Sequence, residues 1–201
     1  MTMRRRLFLS GLPLTLCGCA STFERPYVAR QDWALSVPPP PTDAPERKGR
    51  KVLLVRSMLA APELGDRGLK TLSPDGTMTT SFYERWAAPP ADGVGASLTQ
   101  YLAQSGLFSA VLAPGSLADA DLTLEPNLLA LWAEPAAGRA FASLSVVLLA
   151  TRTLTSRVLL QATESASVPI AGQGTEAEVD AELAALGVVF HKIEAALAPF
   201  A

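Results

Sequence analysis

The chain has 201 residues, 49% of them hydrophobic and 18% charged, with a formal net charge of −2, 16 prolines, two cysteines and one histidine. That length suits one domain with its own core, and so large an apolar share excludes a disordered charged tail. The near-neutral balance argues against nucleic-acid binding, and three Cys and His side chains fall short of the roughly four ligands a zinc site takes.

The N-terminus stands apart. Arg4, Arg5 and Arg6 precede an apolar run, Leu7 to Cys17, which has the length of a signal-peptide core and is shorter than the roughly 20 residues of a membrane-crossing helix. The run ends in Leu16-Cys17-Gly18-Cys19, which resembles the lipobox of bacterial lipoproteins: an apolar residue at −3, a small one at −1 and the cysteine at +1. Residues 1–18 then form a removed signal, and Cys19 is the lipid-attachment residue. Each buried methylene contributes about 0.8 kcal/mol, so two or more acyl chains anchor stably where one does not. The alternative is an ordinary secretory signal with a structural Cys19. Ala20, not Asp, follows the cysteine, which under the aspartate sorting rule implies the outer membrane. Arg5-Arg6-Leu7-Phe8-Leu9 resembles the twin-arginine consensus, and a plain Sec signal explains the same residues. Without residues 1–18, 14 basic residues face 19 acidic ones, a net charge of −5 over 183 residues.

Residues 19–31 read as a lipidated tether and 32–201 as the domain. Trp33 to Val37 is expected as a first strand. Pro38 to Pro41 then favour polyproline II, either as a rigid spacer or as a loop inside the domain; Trp33, costly in a bare tether, favours the loop. Lys51 to Arg56 suits a buried central strand. Leu69–Leu72 and Met78–Tyr83 flank the turn Ser73-Pro74-Asp75-Gly76 and predict a hairpin. Glu84 to Pro90 leads into a helix whose stripe is Val94, Leu98, Tyr101 and Leu102, with Gly106 as its left-handed stop. Phe108–Leu112, Leu122–Trp132, Phe141–Thr153 and Arg157–Val168 follow as strands, with Ala142, Leu144, Val146, Leu148 and Ala150 on one face. Thr175-Glu176-Ala177-Glu178 has the capping-box pattern, and Val179, Leu183, Leu186, Phe190, Ile193 and Leu197 mark one face of a last helix. The expected fold class is α+β: an antiparallel or mixed sheet covered by two helices, in a single domain.

Catalytic constellations are weak throughout. His191 has no serine or acid that the sequence ties to it, and reads as a helix-surface residue. Gly93-Val94-Gly95-Ala96-Ser97-Leu98 lacks the lysine of a phosphate loop and the third glycine of a dinucleotide site. Asp119 and Asp121 read as solvated turn residues, and no G-x-S-x-G elbow occurs. The expectation is no enzyme, no metal and no cofactor.

Gly65 to Val111 is the informative stretch. Asp66-Arg67-Gly68-Leu69, the pair Phe82-Tyr83, Arg85-Trp86-Ala87 with Pro89-Pro90, and Ser105-Gly106-Leu107-Phe108 before Val111 together resemble the ABC-type transport auxiliary lipoprotein family, whose members accompany MCE-type lipid transport systems. The similarity extends more weakly over Trp33 to Leu197. The resemblance implies a non-enzymatic periplasmic lipoprotein that partners an MCE-domain tunnel protein with its permease and ATPase, and a ring-like homo-oligomer. Tyr83, Arg85 and Trp86 are the candidate partner interface, with Trp86 also readable as a core anchor. An envelope-assembly or peptidoglycan-synthase-activating lipoprotein is the alternative, and a lipoprotein hydrolase using His191 a remote third.

Overall fold

In the computed structural model the described residues are 27–38, 49–151 and 157–201. The signal, the lipobox with Cys19 and most of the proline run lie outside them. Nine strands form one mixed sheet: β1 (Gln31–Trp33), β2 (Val52–Val55), β3 (Leu59–Ala60), β4 (Gly68–Leu72), β5 (Met78–Trp86), β6 (Ala110–Leu112), β7 (Leu122–Glu134), β8 (Arg139–Ala150) and β9 (Arg157–Pro169). Two helices, α1 (Pro90–Gln104) and α2 (Thr175–Leu197), complete the single-domain α+β fold.

β7 is the spine, and its sequence explains why. Leu122, Leu124, Leu128 and Leu131 are fully or almost fully buried, as expected of a central strand covered by helices. One edge pairs antiparallel with β8 along its whole length; β8 pairs antiparallel in turn with β9. The other edge is shared in succession by β2, β3 and β4, all parallel to it. Pro126 cannot donate to a ladder. It falls where β2, paired as far as Leu124, hands over to β3, paired from Asn127.

Along β8 the predicted alternation holds. Ala142, Leu144, Val146 and Leu148 are buried, facing α2, whose Leu186, Val189, Phe190, Ile193 and Leu197 close the core. By length and composition Thr175–Phe200 is apolar enough to cross a membrane; here one stripe of it packs on β7, β8 and β9. Tyr101 of α1 meets Phe190 of α2 edge-on, with centroids 5.5 Å apart, and donates to Glu194.

Three local expectations need correction. The first strand is Gln31–Trp33, not Trp33–Val37. Residues 34–38 instead form a strap along the helices: the Val37 N–H donates to Ser97 Oγ, which donates to the Leu35 carbonyl, and Leu35 and Val37 are buried. Gly93 belongs to this packing, since a Cβ there would lie 3.0 Å from that of Leu35. β5 does not stop at Tyr83 but runs to Trp86, because β1 pairs with its last three residues. Finally, the α2 N-cap is Gly174 at φ 85°, with no side-chain cap, so Thr175 is the first helical residue and the capping box does not form. Gly106, at φ 72°, does follow α1 in the left-handed region.

Candidate functional site

The hairpin β4–β5 carries the unusual geometry. Gly68 pairs with Arg85 and Lys70 with Thr80, so five residue steps on β5 oppose two on β4. The surplus is thrown out as a bulge at Ser81–Glu84, bridged inside by the Glu84 N–H donating to Ser81 Oγ at 3.0 Å. A bulge re-aims side chains that a regular strand would alternate between two faces. Here it leaves Phe82 63% and Tyr83 44% exposed, stacked edge-on with centroids 5.2 Å apart.

The Asp66-Arg67-Gly68 sequence builds this bulge. A Cβ on Gly68 would lie 2.4 Å from the Ser81 carbonyl oxygen and 2.5 Å from Thr80 Cγ2, so only glycine lets the strands approach. Asp66 accepts from the Gly68 N–H and from Lys70 Nζ, which also donates to Thr80 Oγ1. That lysine is 4% exposed, a buried charge kept affordable by its two partners. Lys70, donating to the Asp66 carboxyl, holds it below the ordinary carboxylate range, and the Gly68 N–H adds to this.

Arg67 Nε donates to the Trp86 carbonyl, and its Nη2 reaches Asp32 Oδ1 at 2.8 Å. Arg85 Nη2 meets the same carboxylate at 2.9 Å. Asp32 therefore ties β1 to β5 and to the residue that leads into β4. Trp33 Nε1 donates to Glu84 Oε2 at 2.7 Å, a further lock on the bulge. Arg30, just before β1, lies over the Phe82 ring, with its guanidinium carbon 4.2 Å from the centroid.

The three candidate interface residues thus separate. Trp86 is 2% exposed and belongs to the core. Arg85 is half-buried and engaged by Asp32. Tyr83 points outward, and its outward neighbours are Phe82 and Arg30. Sequence reasoning left Arg30 and Asp32 without a role, Arg30 as part of the tether; the signal for the bulge was present in adjacent Phe82 and Tyr83, which cannot both face the core of a regular strand.

Elsewhere, an apolar groove of about 390 Å³ runs along α1, walled by Met58, Ala91, Gly95, Ala96, Ala103 and Pro114. His191 is exposed, 3.6 Å from Glu194. Asp121 accepts from the Val52 N–H at 2.8 Å, a structural role, while Asp119 is exposed. Glycines 93 and 95 sit inside α1, not in a loop.

A family model described as the ABC-type transport auxiliary lipoprotein component matches residues 33–194. The chain belongs to this family. The transport auxiliary lipoproteins are by that description membrane-associated components of ABC-type transport. Among solved structures, a Xanthomonas campestris protein of the DUF330 family aligns over 84% of this chain and 95% of its own, at 22% identity and a TM-score of 0.71. An uncharacterized protein aligns over 77% and 94% at 15% identity and TM-score 0.57, and a hypothetical protein of Chlamydia trachomatis over 76% and 98% at 11% and 0.53. These likenesses establish a shared fold. No curated protein matches the chain. Within this auxiliary lipoprotein, the family-like Asp66-Arg67-Gly68 and Arg85-Trp86 motifs serve one construction, the bulge and its fastening to β1.

Proposed function

We propose that this auxiliary lipoprotein is anchored in the outer membrane through Cys19, faces the periplasm, and is a docking or scaffold component of an MCE-type ABC system for intermembrane lipid transport. It catalyses no reaction. Its contribution is to hold an MCE-domain tunnel protein, whose far end carries the permease and ATPase, at the membrane, in a ring-like assembly of several copies.

The observation that carries the reading is the match of the family model across nearly the whole domain, on a chain whose first residues end in a lipobox. The site chemistry is in keeping with it: the motifs that mark the family go into strand architecture, and its outward product is a pair of aromatic rings. The test is affinity capture of the detergent-extracted protein from cells that encode an MCE system. Co-purification of the MCE-domain protein is expected. Recovery of a cell-wall synthase in its place, or of no MCE-domain protein, would overturn the proposal.

A further inference from the structure

Exposed large hydrophobic side chains are few among the described residues, and half of them fall on two segments that the Arg30–Phe82 contact joins: Tyr27 (90% exposed) and Val28 before β1, and Phe82 and Tyr83 on the bulge. Tyr27 and Val28 lie within three residues of Arg30, which is stacked on Phe82. Leu59, Leu117, Val158 and Val188 are the others and belong to separate segments, as scattered surface hydrophobes usually do.

The charges around this cluster lean the other way from the rest of the protein. Arg30, Arg67 and Arg85 stand there against Asp32 and Glu84, whereas the chain after Gly18 carries a net −5. Arg30 makes no ion pair with a described residue. Aromatic rings with polar edges, one aliphatic side chain and arginine form the composition that settles at a lipid–water boundary, rings among the upper acyl carbons and guanidinium among the phosphates.

Chain length decides between a membrane and a remote partner. Cys19 and Tyr27 are eight residues apart, a span of no more than about 29 Å even when fully extended. With Cys19 lipidated, the cluster begins where the leash ends and stays within about 29 Å of the headgroups, a distance the bilayer surface always satisfies and a remote partner does not. We propose that Tyr27, Val28, Arg30 and the Phe82–Tyr83 rings of the β5 bulge rest in the headgroup layer of the bilayer that holds Cys19, setting the domain at a fixed orientation on the membrane. This rests on the anchoring reading above and names the surface against which the exposed bulge works. The β1–β5 end of the sheet is then turned to the membrane, and the α1 groove and β9 remain in the periplasm for protein contacts.

The experiment uses the full lipidated chain, reconstituted into vesicles of phosphatidylethanolamine and phosphatidylglycerol, with a nitroxide on a single introduced cysteine: Phe82→Cys, Val28→Cys, or Leu117→Cys as the distant control. Collision with oxygen relative to a water-soluble nickel chelate is expected to be at least several-fold higher at 82 and 28 than at 117. In the Val28→Cys background, Phe82→Ser with Tyr83→Ser shifts residue 28 toward the aqueous value. Equal aqueous exposure at 82 and 117 overturns the proposal; so does a label at 82 that is shielded only when an MCE-domain protein is added, which makes the cluster a protein contact. Fractionation of Cys19→Ser reports on the anchor separately. If that variant leaves the membrane while the label at 82 stays aqueous, the orientation fails and the anchor stands; if it remains in the membrane and the label at 82 stays aqueous, both fail.

Discussion

Two halves of one sheet solve opposite problems. From β7 through β9 the strands pair over a dozen residues with one register shift in each pairing, at Leu128/Ala130 and at Leu148/Leu149, and the buried face is sealed by α2. From β4 through β1 the pairing is short, skips residues, and is held by a lysine, two arginines and two carboxylates instead. Regular pairing maximises burial and leaves little to show outside. An irregular pairing uses polar fastenings to hold rings outside the core, which a stability-only design would have turned inward. Trp86 and Phe82 mark the boundary: four residues apart on β5, one is almost wholly buried and the other mostly exposed.

The sharpest way to break this contrast is to empty the core beneath the irregular half. Trp86→Ala empties the largest buried side chain and is expected to cost about 3–5 kcal/mol, read as a lower urea midpoint with unchanged slope. Gly68→Val attacks the bulge alone. Its side chain meets Ser81 and Thr80, with an expected loss of about 1–3 kcal/mol and faster amide exchange confined to β4 and β5.

Glu182 tests the regular half. It lies on the sheet-facing stripe of α2 with Val189 and Ile193, 1% exposed, with Oε2 lacking a hydrogen-bond partner. Burial, and secondarily the Glu178 charge, push its carboxyl well above the ordinary value of 4.5. A group whose pKa is raised by folding favours the folded state fully below its unfolded pKa and loses that contribution as pH climbs to the folded one. Stability is therefore expected to fall as pH rises from about 4.5 into the neutral range, by the linkage between proton binding and folding. Glu182→Gln should flatten that fall, and Glu182→Leu should raise stability at pH 7 by about 1–3 kcal/mol. Melting temperatures at several pH values check both.

How far the sequence carried the reader follows the same division. The β7–β9 ladder and the stripe of α2 were visible because burial on one face imposes a period on the residues themselves, as Ala142, Leu144, Val146 and Leu148 do. The bulge's construction, unlike the Phe82–Tyr83 pair that signals it, was not, because it depends on a close approach between Gly68 and Ser81, thirteen positions apart, and on Asp32 receiving Arg67, just before β4, and Arg85 of β5. The motif residues were noticed, yet their purpose was spatial. The capping box failed for a related reason: Gly174 takes up the turn one residue earlier, and no local pattern reports that.

Smaller effects sharpen the picture of the fastening. Asp32→Ala frees Arg67 and Arg85 on a partly exposed surface and should cost only about 1 kcal/mol, while loosening β1 in amide exchange. Phe82→Ser with Tyr83→Ser touches nothing in the core and should shift stability by no more than about 0.5 kcal/mol. A larger loss would mean that the rings also support the fold.

Among the described residues β9 pairs on one side only, and its other edge is 13 residues long. Lys192 of α2 places its ammonium on the Ser165 carbonyl at 2.6 Å, midway along that edge. A strand arriving to extend the sheet along the whole edge must displace that cation. Under the anchoring proposed above, copies would meet often with their edges at similar heights, and that ammonium then works against sheet growth from one copy to the next.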